Sequence, residues 1–106
     1  MLKMLRKEEE FDLFLRDNKD KLILVKFFTT WCLPCKQLQK SIEKLQLEKK
    51  ELVVLEVDAE KFSGLVQKSE FNVRSVPALF LFRSGEMTKK VSGNMSFQQL
   101  KEFIEF

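Results

Sequence analysis

The sequence predicts a three-layer α/β fold, in which a mixed sheet of five strands lies between four helices that cover both of its faces. Three observations support this prediction. Strand-like and helix-like segments follow one another in the order β-α-β-α-β-α-β-β-α, and strands that alternate with helices form parallel sheets. Two long strands are apolar without strict alternation, which is typical of strands buried on both faces. The last two strands read as a hairpin, which adds antiparallel strands beside the parallel ones.

The first half of the chain supplies two strands and two helices. Residues 2–5 are a short candidate strand, and apolar residues recur at helical spacing within residues 8–18. The apolar run over residues 22–29 predicts a long strand that is interrupted by a single charge at Lys26. From residue 34 to about residue 49, apolar residues recur at intervals of four and three, which predicts an amphipathic helix.

The second half continues with a strand, a weak helix and the hairpin. Residues 52–58 form a second apolar strand, and residues 60–71 predict a shorter and poorer helix that runs into a loop. Residues 77–93 read as two strands joined by a tight turn at Ser84 and Gly85.

A closing helix is predicted over residues 96–106. Ser96 is followed three positions later by Gln99, a pattern in which each residue satisfies a free backbone N–H of the other at the start of a helix. The predicted buried face consists of Phe97, Leu100, Phe103 and Ile104.

Composition limits the classes of function. A chain of 106 residues with 44% apolar residues is the size of one domain, so we expect residues 1–106 to form a single domain. The net charge of +3 is small and the lysines are mixed with acidic residues, which argues against a nucleic-acid surface. No apolar run approaches the roughly 20 residues that cross a bilayer, and the start of the chain lacks a secretory apolar segment. We therefore expect a cytoplasmic protein without a membrane segment.

The two cysteines of the chain, Cys32 and Cys35, lie at a predicted junction between a strand and a helix. The free N–H groups and the dipole at the start of a helix favour an anion, so the pKa of the first thiol should be lowered. Pro34 suits the first helical turn because its missing N–H has no partner there. This arrangement predicts that Cys32 is an exposed nucleophile and that Cys35 is a buried cysteine that resolves the mixed disulfide.

The cysteines have three other interpretations. A zinc site needs two further ligands, but the chain has no other cysteine and no histidine. A structural disulfide across so short a loop adds little stability to a domain with its own core. The third interpretation is two unrelated thiols in the core. A redox-active pair accounts best for the spacing and the position.

Four segments of the sequence resemble the thioredoxin family. They are WCLPCK around the cysteines, RSVPA about forty residues later, LFRSGE at the hairpin turn and VSGNMS before the last helix. The resemblance extends in order over residues 2–106 and implies a thioredoxin-like fold. It also implies that Pro77 is preceded by a cis peptide bond and lies across from the cysteines.

The resemblance further implies a flat, mostly apolar surface around Cys32 on which a protein disulfide is bound. The backbone of Val76 would pair with an extended substrate segment, as a short added strand. The residues implied for this substrate-binding surface are Trp31, Leu33, Pro34, Val76, Pro77, Gly93 and Asn94.

Lys26 departs from the family pattern. It occupies the position at which the family typically has a buried aspartate, and Val54 replaces the usual partner lysine. A buried lysine is unfavourable unless it is paired or neutral. Glu56 has the same strand parity as Val54, so we hypothesise that Lys26 pairs with Glu56 and that one of them handles the proton of Cys35. In the alternative, Lys26 extends to solvent and the site has no base.

The resemblance implies a protein-disulfide reductase that needs no metal and no organic cofactor. Its implied partners are disulfide-containing target proteins and a thioredoxin reductase, and we expect it to act as a monomer. Two alternatives remain open. Leu33 stands where glycine is usual, which leaves room for a thiol oxidant or isomerase. The unusual Lys26 leaves room for a thioredoxin-like binding module without turnover.

Overall fold

The computed structural model describes residues 1–105, and the predicted order of strands and helices is confirmed. The elements are β1 (Leu2–Met4), α1 (Glu10–Asp17), β2 (Ile23–Phe28), α2 (Leu33–Glu48), β3 (Val53–Asp58), α3 (Ser63–Val66), β4 (Ala78–Arg83), β5 (Glu86–Ser92) and α4 (Phe97–Glu105). Among these helices, none is long and apolar enough to cross a membrane. Phe106, the last residue of the predicted closing helix, lies outside the described residues.

The five strands form one mixed sheet in the order β1-β3-β2-β4-β5. β3 pairs in parallel with both β1 and β2, whereas β4 pairs antiparallel with β2 and with β5. β2 is therefore the central strand. At its midpoint Lys26 lies between Glu56 on β3 and Leu79 on β4, so the register already places a charged residue in the middle of the sheet.

The two faces of the sheet pack against cores of different composition. The aromatic core, on the side of α1 and α3, is built around Phe11, Phe27, Phe62, Phe71, Phe80 and Phe82. The aliphatic core, on the side of α2 and α4, contains Leu24, Leu38, Ile42, Leu45, Val54, Leu79, Leu81, Leu100 and Ile104. Alternate residues of a strand face opposite sides, so Lys26 faces the same side as Leu24, towards α2.

The hairpin turn formed where the sequence predicted it. The turn residues Ser84 and Gly85 both have positive φ angles, of 55° and 83°. Two positive φ angles are what a two-residue turn needs if its twist is to match that of the strands.

The start of the closing helix also formed as predicted. The N–H of Ser96 donates to Gln99 Oε1 at 2.9 Å, and the N–H of Gln99 donates to Ser96 Oγ at 3.1 Å. On the predicted buried face, Leu100 and Ile104 are fully buried, while Phe97 and Phe103 pack partly buried against the aliphatic core.

The weak helix predicted over residues 60–71 is confirmed in position but is only four residues long, at Ser63–Val66. The carboxylate of Asp58 accepts hydrogen bonds from the N–H groups of Glu60 and Lys61, at 3.0 and 3.3 Å. Such a side-chain turn competes with helical hydrogen bonding, so the helix begins later than the sequence pattern indicates.

Candidate active site

The two cysteines lie where the central strand passes into a helix. Cys32 caps the N-terminus of α2, and its Sγ accepts a hydrogen bond from the N–H of Cys35 at 3.1 Å. Pro34 lies in the first turn, where a backbone N–H has no helical partner. Cys32 and Cys35 are joined by a disulfide, with their Cα atoms 5.2 Å apart. Folding therefore brings the predicted redox pair into bonding contact.

The prediction that Cys32 is exposed is wrong, because Cys32 is 4% exposed and Cys35 is 2% exposed in the disulfide-bonded protein, whereas the burial of Cys35 is confirmed. The two cysteines nevertheless border different surroundings. Cys32 lines an open groove of about 560 Å³, here called the front groove, which includes Trp31, Leu33, Pro34, Val73, Arg74, Ser75 and Val76. Cys35 lines a second cavity of about 230 Å³, here called the rear cavity, together with Lys26, Phe28, Thr29, Thr30, Lys36, Gln39 and Glu56.

Exposed apolar side chains flank Cys32 at the front groove. Trp31 is 70% exposed and Leu33 is 64% exposed, and neighbouring exposed apolar side chains form the kind of patch that contacts partners. The indole N–H of Trp31 donates to Glu60 Oε1 at 3.0 Å. This hydrogen bond fixes one edge of the ring and leaves its apolar body accessible.

The loop before β4 lies across from the cysteines, as the resemblance implied. The peptide bond between Val76 and Pro77 is cis, and the carbonyl oxygen of Val76 lies 3.8 Å from Cys32 Sγ. Pro77 itself is buried, and its carbonyl oxygen accepts from the N–H of Gly93 at 2.8 Å.

Three residues of the predicted substrate surface do not line the front groove, namely Pro77, Gly93 and Asn94. The Asn94 side-chain amide donates to Gln37 Oε1 on α2 at 3.2 Å. The structure thus brings Trp31, Leu33, Pro34 and Val76 together with Cys32 in the front groove.

Lys26 lies behind Cys35 and is only 2% exposed. Its Nζ donates to Gln39 Oε1 at 2.7 Å and to the carbonyl oxygen of Cys35 at 3.2 Å, and it lies 3.8 Å from Glu56 Oε2. The alternative in which Lys26 extends to solvent is therefore wrong, because β2 is central and α2 covers this face of the sheet.

Gln39 links Lys26, Glu56 and Glu43, a role that the sequence pattern did not predict. Its amide nitrogen donates to Glu56 Oε1 at 3.2 Å and to Glu43 Oε2 at 3.3 Å. A signal for it exists in the sequence, since Gln39 follows Cys35 by four residues and residues at that spacing lie on the same side of a helix.

Burial lowers the pKa of the Lys26 ammonium below its usual value of 10.5, and the attraction of Glu56, followed by that of Glu43, opposes this effect. Glu56 is 8% exposed, so the two charges are withdrawn from water together. Thr29 also lines this cavity and is 6% exposed. Its hydroxyl is the one fully buried side-chain polar group of residues 1–105 that lacks a hydrogen-bond partner. The rear cavity is therefore polar on several sides.

Comparison with known proteins agrees with this geometry. The thioredoxin family model matches residues 3–106. Thioredoxin of Mycoplasmoides gallisepticum is 31% identical over 104 residues, which cover 98% of this chain and 100% of that protein. Monothiol glutaredoxin-4 of Schizosaccharomyces pombe is 32% identical over 97 residues, which are 92% of this chain but span only 38% of that longer protein.

Among solved structures, thioredoxin NaTrxh from Nicotiana alata superimposes with a TM-score of 0.86 at 25% identity, covering 98% of this chain and 90% of that one. The shared fold includes the mixed five-stranded sheet, and this chain carries a disulfide-bonded Cys32–Cys35 pair at the head of α2. With the match to the family model, these findings show that the chain belongs to the thioredoxin family and carries the cysteine pair of a thiol–disulfide oxidoreductase.

Proposed function

We propose that the protein reduces disulfide bonds of other proteins through Cys32 and Cys35. The observation that carries the proposal is the separation of the two sulfurs, with Cys32 on the front groove and Cys35 on the rear cavity. A target can reach Cys32 on this side, while Cys35 stays out of its reach until a mixed disulfide has formed.

The reaction has two exchange steps. In the reduced protein, the Cys32 thiolate attacks one sulfur of the target disulfide, a bond forms between the two sulfurs, and the other target sulfur leaves and takes up a proton. The Cys35 thiolate then attacks Cys32 Sγ, and the bond between Cys32 and the target breaks. The target gains two electrons and two protons, and the protein ends with the Cys32–Cys35 disulfide.

Substrate binding is proposed for the surface around the front groove. Trp31, Leu33, Pro34 and Val76 supply an apolar platform, and the exposed backbone before Pro77 is available to pair with an extended target segment. Gly93 and Asn94 hold the edges of this surface in place. The N–H of Gly93 donates to the Pro77 carbonyl oxygen, and the Asn94 amide donates to Gln37 on α2.

Proton transfer or pKa tuning at Cys35 is proposed for Lys26 and Glu56. Both line the rear cavity with Cys35, and they lie 3.8 Å apart. A cation close to a thiol favours the thiolate, whereas a nearby carboxylate disfavours it and can accept its proton. The pair thus has one group for each task.

The cellular setting is also a proposal. Family membership supports disulfide-containing proteins as targets and a thioredoxin reductase as the enzyme that regenerates the dithiol. We propose that residues 1–106 act as one monomeric unit in electron transfer to proteins of the cytoplasm, without a metal or an organic cofactor.

A second candidate function is oxidation or isomerisation of protein thiols. It is favoured by Lys26, because a cation behind Cys35 stabilises the thiolate and hence the reduced form, and a dithiol that is more stable when reduced is a stronger oxidant. Leu33, which is exposed beside Cys32, further alters what the site contacts.

Two measurements test these functions. The first follows reduction of the insulin disulfides by a dithiol reductant, with and without the protein, and with Cys32→Ser as the inactive control. Acceleration that is lost in Cys32→Ser supports catalysis, whereas absence of acceleration supports a binding module. The second measures the reduction potential of the Cys32–Cys35 pair. A value below about −250 mV supports the reductase function, whereas a value near −180 mV or above supports the oxidant or isomerase function.

A further inference from the structure

Gln39 is the side chain that joins Lys26, Glu56 and Glu43 behind Cys35. Its carbonyl oxygen accepts from Lys26 Nζ at 2.7 Å, which is the shortest contact that Lys26 makes in the described chain. Its amino group lies within hydrogen-bond distance of the carboxylates of Glu56, at 3.2 Å, and Glu43, at 3.3 Å. One neutral amide therefore stands between one cation and two anions.

The surrounding charges fix the orientation of this amide. Its oxygen can only accept and its nitrogen can only donate, so the observed orientation matches each end to a group of the opposite kind. Rotation of the amide by 180° would set donors against the Lys26 ammonium and an acceptor against two carboxylates. The orientation of the Gln39 amide is thus fixed, and its oxygen in turn fixes the position of the Lys26 ammonium.

The charged, polar and aromatic groups that face Lys26 come from β2, β3 and α2, while β4 sets the apolar Leu79 beside it. β3 contributes Glu56, α2 contributes Glu43 and Gln39, and β2 contributes the ring of Phe28, whose centroid lies 5.7 Å from Nζ. Lys36 of α2 is a second cation on the rear cavity, but it is exposed.

After Gln39, the nearest hydrogen-bond partner of Lys26 is the backbone of Cys35. Its Nζ is 3.2 Å from the Cys35 carbonyl oxygen and 3.8 Å from Glu56 Oε2. The amide nitrogen of Gln39 bonds Glu56 Oε1, so Lys26 forms an ion pair with Glu56 but its hydrogen bonds go to Gln39 and Cys35. The cation is held on the side of the cysteine.

We propose that Gln39 is a positioning residue for the second exchange step, in which it holds the Lys26 ammonium behind Cys35 so that a fixed cation stabilises the Cys35 thiolate as it forms. This inference rests on the proposed exchange reaction and assigns a residue to its second half. The Cys35 thiol passes its proton to the Glu56 carboxylate, which lines the same rear cavity. The thiolate attacks Cys32 Sγ, and the target sulfur leaves with the bonding electron pair and takes up a proton.

The test separates the two exchange steps by rapid mixing of the reduced protein with a synthetic peptide disulfide. The phase that depends on peptide concentration reports the attack by Cys32, and the concentration-independent phase reports the attack by Cys35. Both are recorded between pH 5 and 9 for the wild type and for Gln39→Met, which removes the amide at nearly constant side-chain length. Gln46→Met is the matched control, because Gln46 lies on the same helix and bonds the carbonyl oxygen of Met1 instead.

In Gln39→Met we expect the midpoint of the pH profile of the second phase to move upward and its rate at pH 7 to fall about three- to tenfold, since one unit of thiol pKa corresponds to tenfold in thiolate. The first phase and the whole Gln46→Met profile should stay unchanged. In the Lys26→Met background, Gln39→Met should add no further shift, because Gln39 acts through Lys26.

If the midpoint of the second-phase pH profile is unchanged in Gln39→Met, Gln39 does not have this role. The same follows if Gln39→Met shifts the midpoint equally in the wild-type and Lys26→Met backgrounds. A wild-type protein that shows neither phase would overturn the exchange reaction itself and the inference with it. Gln39→Leu is the second variant, and circular dichroism verifies that each variant is folded before its profile is read.

Discussion

Cys32 and Cys35 share one disulfide, yet the two sides of that bond have opposite character. On the side of Cys32, the front groove is lined mainly by apolar residues, of which Trp31 and Leu33 are exposed. On the side of Cys35, the rear cavity holds the buried charges of Lys26 and Glu56. The difference shows that one sulfur is presented to partners, while the other is surrounded by groups that act on its protonation.

Replacement of each cysteine by serine should give the largest contrast between the two sides. Cys35→Ser leaves the attacking sulfur on the front groove, so target proteins should accumulate as mixed disulfides. Non-reducing gel electrophoresis should show them as bands of higher mass that disappear on addition of a reductant. Cys32→Ser removes the attacking sulfur and should trap at least about a hundredfold less, since Cys35 lines the rear cavity and not the front groove on which a target binds. Equal trapping by the two variants would contradict the assignment of roles.

On the rear side, Lys26→Met should lower the free energy of unfolding by about 2–4 kcal/mol, because it leaves the buried Glu56 carboxylate without its cation. The double variant Lys26→Met/Glu56→Gln should recover part of this loss, and the coupling between the two sites should exceed about 0.5 kcal/mol. Urea denaturation measures both quantities. Lys36→Met, which removes an exposed cation from the same cavity, should stay within about 0.5 kcal/mol of the wild type, and additive single losses would contradict the pairing.

The pH dependence of stability sharpens the same point. Because burial lowers the pKa of Lys26, the folded protein releases this proton at a lower pH than the unfolded chain does. Between the folded pKa and 10.5 the unfolded state therefore binds more protons, so the unfolding free energy of the wild type relative to Lys26→Met should rise with pH. Paired urea titrations from pH 7 to 10 test this, and a constant difference would contradict it.

The smallest effect is expected at Arg74, the one charged side chain of the described residues that lines the front groove. Arg74→Gln should slow the attack by Cys32 on a peptide disulfide flanked by acidic residues by about two- to fivefold, and high salt should remove the difference. A neutral peptide serves as the control. If both peptides respond equally, Arg74 does not contribute through its charge.

Much of the fold was predictable because the signals are local. The Ser96–Gln99 cap and the turn at Ser84 and Gly85 depend on residues at most three positions apart, and both formed as predicted. Strand parity was enough to set Lys26 beside Glu56, since side chains on one face of neighbouring strands meet in register.

The parts that escaped prediction depend on packing between distant segments. The contacts of Gln39 follow from the rotation of α2 about its axis, which the sequence pattern defines only to within a wide apolar face. Likewise, Arg74 lines the front groove because the loop before β4 approaches the start of α2. No periodic signal encodes such an approach.

Trp31 also makes the molecule its own optical probe. It is the only tryptophan in a chain that has no tyrosine, and it is 70% exposed next to Cys32. Because an indole that is already hydrated changes its emission little when the chain unfolds, its fluorescence should respond mainly to the adjacent sulfurs and to a bound target. The redox state can therefore be followed by emission without an added dye, while the folded fraction is followed separately from the backbone signal.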